Sequence, residues 1–378
     1  MRKVSYPYLG NATITFQKLM KALGNDVVLP KRPTEETLSL GTKYAPEFAC
    51  LPFKIVLGTY IEALEAGADT LVSTGGVGPC RAGLYTTLHE KILKSLGYDF
   101  EMITLEPPGR HLRDLIASIK KLVSKKLSIA DYFRIGRFVW KELQLLDKAE
   151  KLSHKIRPLE VKKGETTRTY KKCAELIAQA QSYRDLVEIE REIELLYEKI
   201  EKKDIDPIKI GIVGEIYVVI EPAANLEIEE MLGDLGVYAE RSMFLASYTF
   251  YNAVMDLFRM PGERDVKKLA SPYFKEMCGG HGRESVGNAI LFAKRGFDGV
   301  IQLSPFTCIP EIVAKSILPK VCAEYGIGFL PVTLDEQTGK EGLRTRVEAF
   351  VDLLAAKRKK KKMNLGKGDV VYGTLSGY

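Results

Sequence analysis

The chain reads as an α/β protein made of two similar halves, each with a parallel sheet, related by a pseudo-twofold repeat and joined by a helical connector. Three observations predict this. Strands alternate with helices in both halves, glycine turns punctuate them at matching places, and a pair of cysteines thirty residues apart occurs once in each half.

The first half opens with a strand at 3–6, a glycine turn at Gly10, an amphipathic helix at 12–23 stopped by Gly24, and a strand at 26–29. A second helix at 53–66 carries Ile55, Leu57, Ile61, Ala63 and Leu64, ends at Gly67 and feeds a strand at 70–73. That strand runs into Gly75-Gly76-Val77-Gly78-Pro79 and then Cys80. The second half repeats the order: strand 209–213, helix near 223–232, turn 233–236 and a strand-like segment. Helix 285–295 then ends at Gly296 and feeds strand 299–303, whose loop delivers Cys308. Alternation of this kind implies parallel strands with right-handed crossovers, and it places the loops that bear ligands at the strands' carboxyl ends.

Between the halves the pattern changes to long charged helices. Leu186, Ile189, Ile193, Leu196 and Tyr197 form one apolar stripe there, which reads as a lid, a dimerisation arm or packing. The expected division is an N-terminal α/β domain at 1–108, a helical connector at 109–204, a C-terminal α/β domain at 205–338, and a helix with a basic tail at 339–378. The tail's Val370-Val371-Tyr372 could add an edge strand.

A chain of 378 residues with 46% hydrophobic content is long enough for two cores. Its apolar runs fall far short of the roughly 20 residues that cross a bilayer, and Met1-Arg2-Lys3 leads into a strand rather than an apolar signal core. The expected location is the cytoplasm. Much of the net charge of +7 sits in the run Lys357-Arg358-Lys359-Lys360-Lys361-Lys362, which reads as a solvated helix end rather than a nucleic-acid contact.

Six cysteines without a signal peptide do not make a disulfide scaffold; they are buried thiols or ligands. Cys50 and Cys80 are separated by one helix, the turn Gly67-Ala68-Asp69 and one strand. Cys278 and Cys308 are separated by the same order with Gly296-Phe297-Asp298. In Cys50-Leu51-Pro52 and Cys308-Ile309-Pro310 the proline suits a first helical position, making each cysteine a helix-start residue. Unpaired N–H groups and the helix dipole there stabilise negative charge by roughly 0.3–1 kcal/mol and lower a thiol's pKa. Four such loops facing one cleft would present soft anionic ligands suited to iron–sulfur or zinc. No C-x-x-C knuckle is present, which weakens zinc-finger and ferredoxin readings. Cys173, on a polar connector helix, and Cys322, on the apolar side of helix 311–325, read as packing residues.

Softer candidates surround these. Gly279, Gly280 and His281 follow Cys278, where glycine backbone can approach an anion or a cluster and His281 or Arg283 can supply a proton or charge. The Gly75–Gly78 run lacks the order of a nucleotide-binding loop, so no nucleotide binding is expected. Glu215 and Glu106 read as capping or solvated carboxylates, and His89 as a packed histidine.

Val4-Ser5-Tyr6-Pro7-Tyr8-Leu9-Gly10, the helix ending Leu23-Gly24, the strand at 26–29, and the Cys50 and Cys80 loops resemble the 2-hydroxyacyl-CoA dehydratase component D superfamily. That group includes benzoyl-CoA-reductase-type subunits, double-cubane-cluster proteins and chains related to acyl-CoA dehydratase activases. The resemblance covers most of both α/β halves and less of the connector. It implies two Rossmann-like domains with an oxygen-sensitive [4Fe-4S] cluster, or a double cubane, in the cleft between them. It also implies a separate ATP-dependent activator protein with its own cluster, and a paralogous subunit or a second copy as partner. Cys50, Cys80 and Cys308 match the motif, and the internal repeat adds Cys278. Three thiolates would leave one iron open to substrate, whereas four would close the site and favour electron transfer. A double cubane needs about six thiolates, which only Cys173 and Cys322 could complete.

Three functions are therefore expected to compete. The first is an iron–sulfur redox protein passing low-potential electrons to a small or CoA-linked substrate. The second is a catalytic 2-hydroxyacyl-CoA dehydratase subunit with an open-site cluster. The third is a non-enzymatic scaffold locked by a metal.

Overall fold

The computed structural model describes residues 2–76, 80–106, 108–250, 264–276 and 278–365. The expectations placed on residues 77–79 and 370–372 lie outside these.

In the first half the elements are β1 (Lys3–Ser5), α1 (Ala12–Ala22), β2 (Asp26–Val27), α2 (Glu35–Tyr44), α3 (Leu51–Glu65), β3 (Thr70–Thr74), α4 (Tyr85–Ser95) and β4 (Glu101–Leu105). The connector contributes α5 (Pro108–Leu122), α6 (Ile129–Ile156), α7 (Glu165–Gln179) and α8 (Tyr183–Glu198). The second half begins with β5 (Ile208–Gly214), α9 (Ile216–Ile220), α10 (Ile228–Asp234), β6 (Val237–Arg241) and α11 (Leu245–Thr249). It continues with α12 (Arg264–Ala270), α13 (Gly282–Lys294), β7 (Gly299–Pro305), α14 (Ile309–Glu324) and β8 (Gly328–Leu334), and α15 (Lys340–Leu365) follows.

Among the described residues there are two sheets, each four-stranded and parallel throughout. Their orders are β2-β1-β3-β4 and β6-β5-β7-β8, the same connectivity twice. The recurring Gly-x-Asp turn explains part of that identity. In the first half Asp69 Oδ1 accepts the Lys3 N–H at 2.9 Å, and in the second Asp298 Oδ2 accepts the Lys209 N–H at 2.9 Å. Each aspartate thus pins the start of its sheet's first strand, while Gly67 (φ +90°) and Gly296 (φ +78°) supply the left-handed backbone that the preceding helix needs to stop.

One cluster of buried apolar residues runs from α3, through Phe53, Leu57 and Ile61, to Ile212 on β5, Val332 on β8 and Val347 on α15. The halves therefore share a core, in which each large apolar side chain contributes about 1.5–3 kcal/mol. Although α3 shows the expected apolar stripe, it is buried on every side, Lys54 and Thr59 included. It crosses α2 at Gly41 and Gly58. A Cβ on Gly58 would lie 2.0 Å from the Thr37 carbonyl oxygen, so only glycine permits that approach.

The helix expected near 223–232 is broken. Short α9 precedes a turn in which Leu226 (φ +59°) and Glu227 (φ +60°) both adopt left-handed backbone, and α10 starts only at Ile228. The basic run, by contrast, continues α15 as expected. The connector has its own core, built on Leu145, Ile177, Leu186 and Ile193 with Cys173 among them.

Candidate functional site

Cys50 caps the start of α3 (φ −72°, ψ 160°) and Cys308 caps the start of α14 (φ −75°, ψ 100°). Both helices start one residue earlier than the sequence suggests, so Pro52 and Pro310 occupy the second helical position rather than the first. Cys80 leads into a 3-10 turn at Arg81–Leu84. Cys278 is less like Cys50 than the repeat implies, because Gly279, Gly280 and His281 separate it from α13. Its thiol points toward the Gly279 carbonyl at 3.6 Å.

Glycine lets these loops meet. A Cβ on Gly280 (φ +50°) would stand 2.8 Å from Pro310 Cγ and 3.9 Å from Cys80 Sγ, while one on Gly282 would stand 2.4 Å from the Pro310 carbonyl oxygen and 3.4 Å from Cys278 Sγ. The Cys278 loop therefore lies against both the start of α14 and the Cys80 loop of the other half. Arg81 donates to the Phe48 carbonyl at 3.1 Å and to the Thr307 carbonyl at 2.6 Å, and Thr307 Oγ1 donates to the Phe48 carbonyl at 3.0 Å. Thr307 is held at φ +66°, a costly conformation for a β-branched residue.

The four thiols share one electrostatic neighbourhood. Cys50 raises Cys308 and Cys80 raises Cys278, and Glu215 acts on Cys50, Cys80 and Cys308. Desolvation pushes the Cys50 thiol up to about 11 and raises the other three. Opposing it, the backbone at Phe53, Ala82 and Glu311 lowers the Cys50, Cys80 and Cys308 thiols in turn, and none of the three makes a side-chain capping hydrogen bond. Among the described residues, no three His, Cys, Asp or Glu side chains are grouped as an ion's ligand set. The donors nevertheless suit a thiolate-bound centre: soft sulfurs, neighbouring backbone that favours the thiolate form at three of them, and a glycine wall that a side chain would obstruct.

Two carboxyls join this neighbourhood. Glu215 caps α9, accepting the Val218 N–H at 3.2 Å as its sequence position suggests, and desolvation raises its pKa to about 7. Glu311, buried in the first turn of α14, accepts from Ser285 Oγ at 2.9 Å and Gln302 Nε2 at 2.7 Å, and burial raises it to about 7 as well. Neither group need be charged at neutral pH, so either can hold or release a proton beside the thiols. Tyr85 hydrogen-bonds Cys50 Sγ. Tyr85, Arg81 and Glu311 are absent from the sequence reading; their nearness to Cys80 and Cys308 in the chain was the available signal.

The remaining candidates resolve differently. His281 caps α13 with its ring 5.4 Å from that of Tyr248, and desolvation lowers its pKa. Glu106 closes over Gly75, where a Cβ would lie 2.1 Å from its Oε2. His89 is packed as expected, stacked 4.0 Å from Phe53 with Nε2 3.1 Å from the Phe53 carbonyl oxygen. Cys173 and Cys322 lie in two other cores, that of the connector and that beneath α13 and α14.

Two parallel α/β sheets with cysteine loops meeting at their carboxyl edges define the class of protein. The sequence profile of the 2-hydroxyglutaryl-CoA dehydratase D-component family matches residues 14–354, and the chain belongs to that family. A search of curated proteins finds no match. Among the described residues no helix is long and apolar enough to cross a membrane.

Proposed function

We propose that this chain is an iron–sulfur redox protein that accepts low-potential electrons from an ATP-dependent activator and passes them to a small or CoA-linked substrate. The observation that carries the reading is the meeting of the Cys80 loop of one half with the Cys278 loop and the start of α14 from the other. Cys50, Cys80, Cys278 and Cys308 would hold a [4Fe-4S] cluster. Such a cluster supplies single electrons at low potential when bound. The protein's own residues give it a desolvated setting, with backbone beside three sulfurs that favours the thiolate form and Arg81 fixing three of the cysteine segments. Glu215 and Glu311, both raised to about 7, are the groups able to move a proton there. Cys173 and Cys322, each packed in a separate core, favour one cluster over a double cubane. In this reading residues 1–108 and 205–338 are the two cluster-holding domains, and the protein works in the cytoplasm beside a paralogous subunit or a second copy.

A second reading, a dehydratase subunit with an open-site cluster, is favoured by one observation. Glu215 acts on Cys50, Cys80 and Cys308, whereas Cys278 does not itself begin a helix. The test is iron and acid-labile sulfide per chain after purification without oxygen, with electron paramagnetic resonance before and after reduction. Four irons and a reducible signal support the proposal; stoichiometric zinc, or no metal after reconstitution with iron and sulfide, would overturn it.

A further inference from the structure

The Tyr85 hydroxyl is hydrogen-bonded to Cys50 Sγ, and among the described residues no other side chain hydrogen-bonds any of the four cysteine sulfurs. The bond joins two ligand segments, because Tyr85 opens α4 five residues after Cys80 whereas Cys50 precedes α3. The phenol is held on several sides. Its ring meets that of Phe53 edge-on, with centroids 5.0 Å apart at 79°, and lies 5.9 Å from the ring of His89. Both neighbours are fully buried. Thr86 Oγ1, on the next residue, donates to the Thr74 carbonyl at 3.3 Å and pins the start of α4 to the end of β3. The second half has no counterpart. Five residues after Cys308 stands Val313, packed on the core beneath α13 and α14.

We propose that Tyr85 is a positioning residue whose hydroxyl, donated to the Cys50 sulfur, raises the reduction potential of a cluster bound there and makes its two sides unequal. The inference rests on the cysteine site proposed above. An iron-bound thiolate has no proton to give, so in this pair the phenol must be the donor. A donor to a cluster sulfur draws charge from it and favours the reduced, more negative state. Cys50 is 8% exposed, and the low local dielectric strengthens the bond.

The test compares the parent with Tyr85→Phe, both purified and reconstituted without oxygen, by redox titration followed with electron paramagnetic resonance. The substitution keeps the ring and its packing and removes only the hydroxyl. The expected result is equal iron content with a reduction equilibrium constant about tenfold smaller, a fall of about 59 mV for one electron. Pulsed resonance of the reduced parent in deuterated water should show a coupled exchangeable deuteron that the variant lacks. Tyr98→Phe, which removes a hydroxyl bonded to Glu65 on the surface, should leave both readings unchanged. Incorporating 3-fluorotyrosine, whose more acidic hydroxyl is a stronger donor, should move the potential upward and carries the test alone if Tyr85→Phe does not fold. An equal or higher potential in Tyr85→Phe, retention of the coupled deuteron, or an unmoved potential in the fluorinated protein would each overturn the inference. Loss of iron from a natively folded Tyr85→Phe would overturn it too, making Tyr85 a residue of assembly. If the parent itself holds no iron–sulfur centre, the cysteine reading falls and this inference with it. A centre present in both proteins at equal potential removes this inference alone.

Discussion

Arg81, the residue after Cys80, donates to the carbonyl of Thr307, the residue before Cys308, at 2.6 Å. The same guanidinium reaches the Phe48 carbonyl two residues before Cys50. One side chain thus ties three cysteine segments from both halves, and it helps keep Thr307 at φ +66°.

Removing that tie should loosen the loops more than the fold. Because Arg81 is exposed, its two bonds should contribute only about 1 kcal/mol to global stability. Arg81→Ala is expected to lower the urea midpoint slightly while speeding hydrogen exchange at the Cys308 amide, which is bonded to the Pro305 carbonyl. Equal exchange in parent and variant would show that the tie does not hold the loop.

The halves are also joined by Lys54, buried on α3, whose ammonium lies 2.7 Å from Glu336 after β8. Truncating one partner of a fully buried pair costs about 3–5 kcal/mol. The Glu336 side chain is 28% exposed, so Glu336→Ala should cost less, on the order of 2 kcal/mol. Adding Lys54→Met should recover much of the loss, because no buried charge then remains unpaired. Urea unfolding of both single variants and the double variant measures the coupling, and additive losses would contradict it.

The repeat was legible because its determinants are local. Glycine stops each helix, and an aspartate two residues later pins the first strand, so the sequence itself carries both bonds. Edge strands β4 and β8 escape the reading because only part of each is buried and neither shows a clean alternation. The break between α9 and α10 was hidden for another reason: left-handed backbone falls on Leu226 and Glu227, where no glycine signals it. At the site, the cysteines could be singled out by spacing, whereas Arg81 and Tyr85 matter only because tertiary packing sets them against the Thr307 carbonyl and the Cys50 thiol.

His89 should make stability depend on pH. Desolvation lowers its pKa from 6.5 to about 4, so the folded state prefers the neutral ring. Between those values the unfolded chain binds the proton more readily, and stability falls as pH drops from about 6.5 toward 4. By pH 5 the loss from this group is about 2 kcal/mol relative to neutral pH. Comparing urea unfolding of the parent and His89→Gln at pH 7.5 and pH 5 isolates it, since the variant lacks the titrating ring. The gap between the two proteins should change in the variant's favour on acidification; a constant gap would mean that the ring titrates normally in the fold.

Cys278 decides between a closed electron carrier and an open site. It lacks the helix start that Cys50 and Cys308 share, yet a Cβ on Gly282 would lie 3.4 Å from its sulfur, and its loop packs on Pro310 and beside Cys80. On the proposed reading, Cys80→Ala loses most of the iron, Cys173→Ser retains it, and Cys278→Ser retains a cluster with one altered iron. That iron should accept added thiol or cyanide and shift the resonance spectrum of the reduced protein. Because glycines 279, 280 and 282 shape the loop independently of the sulfur, the serine variant should fold normally. If its spectrum and metal content match the parent's, the centre has three protein thiolates, and the dehydratase reading replaces that of the electron carrier.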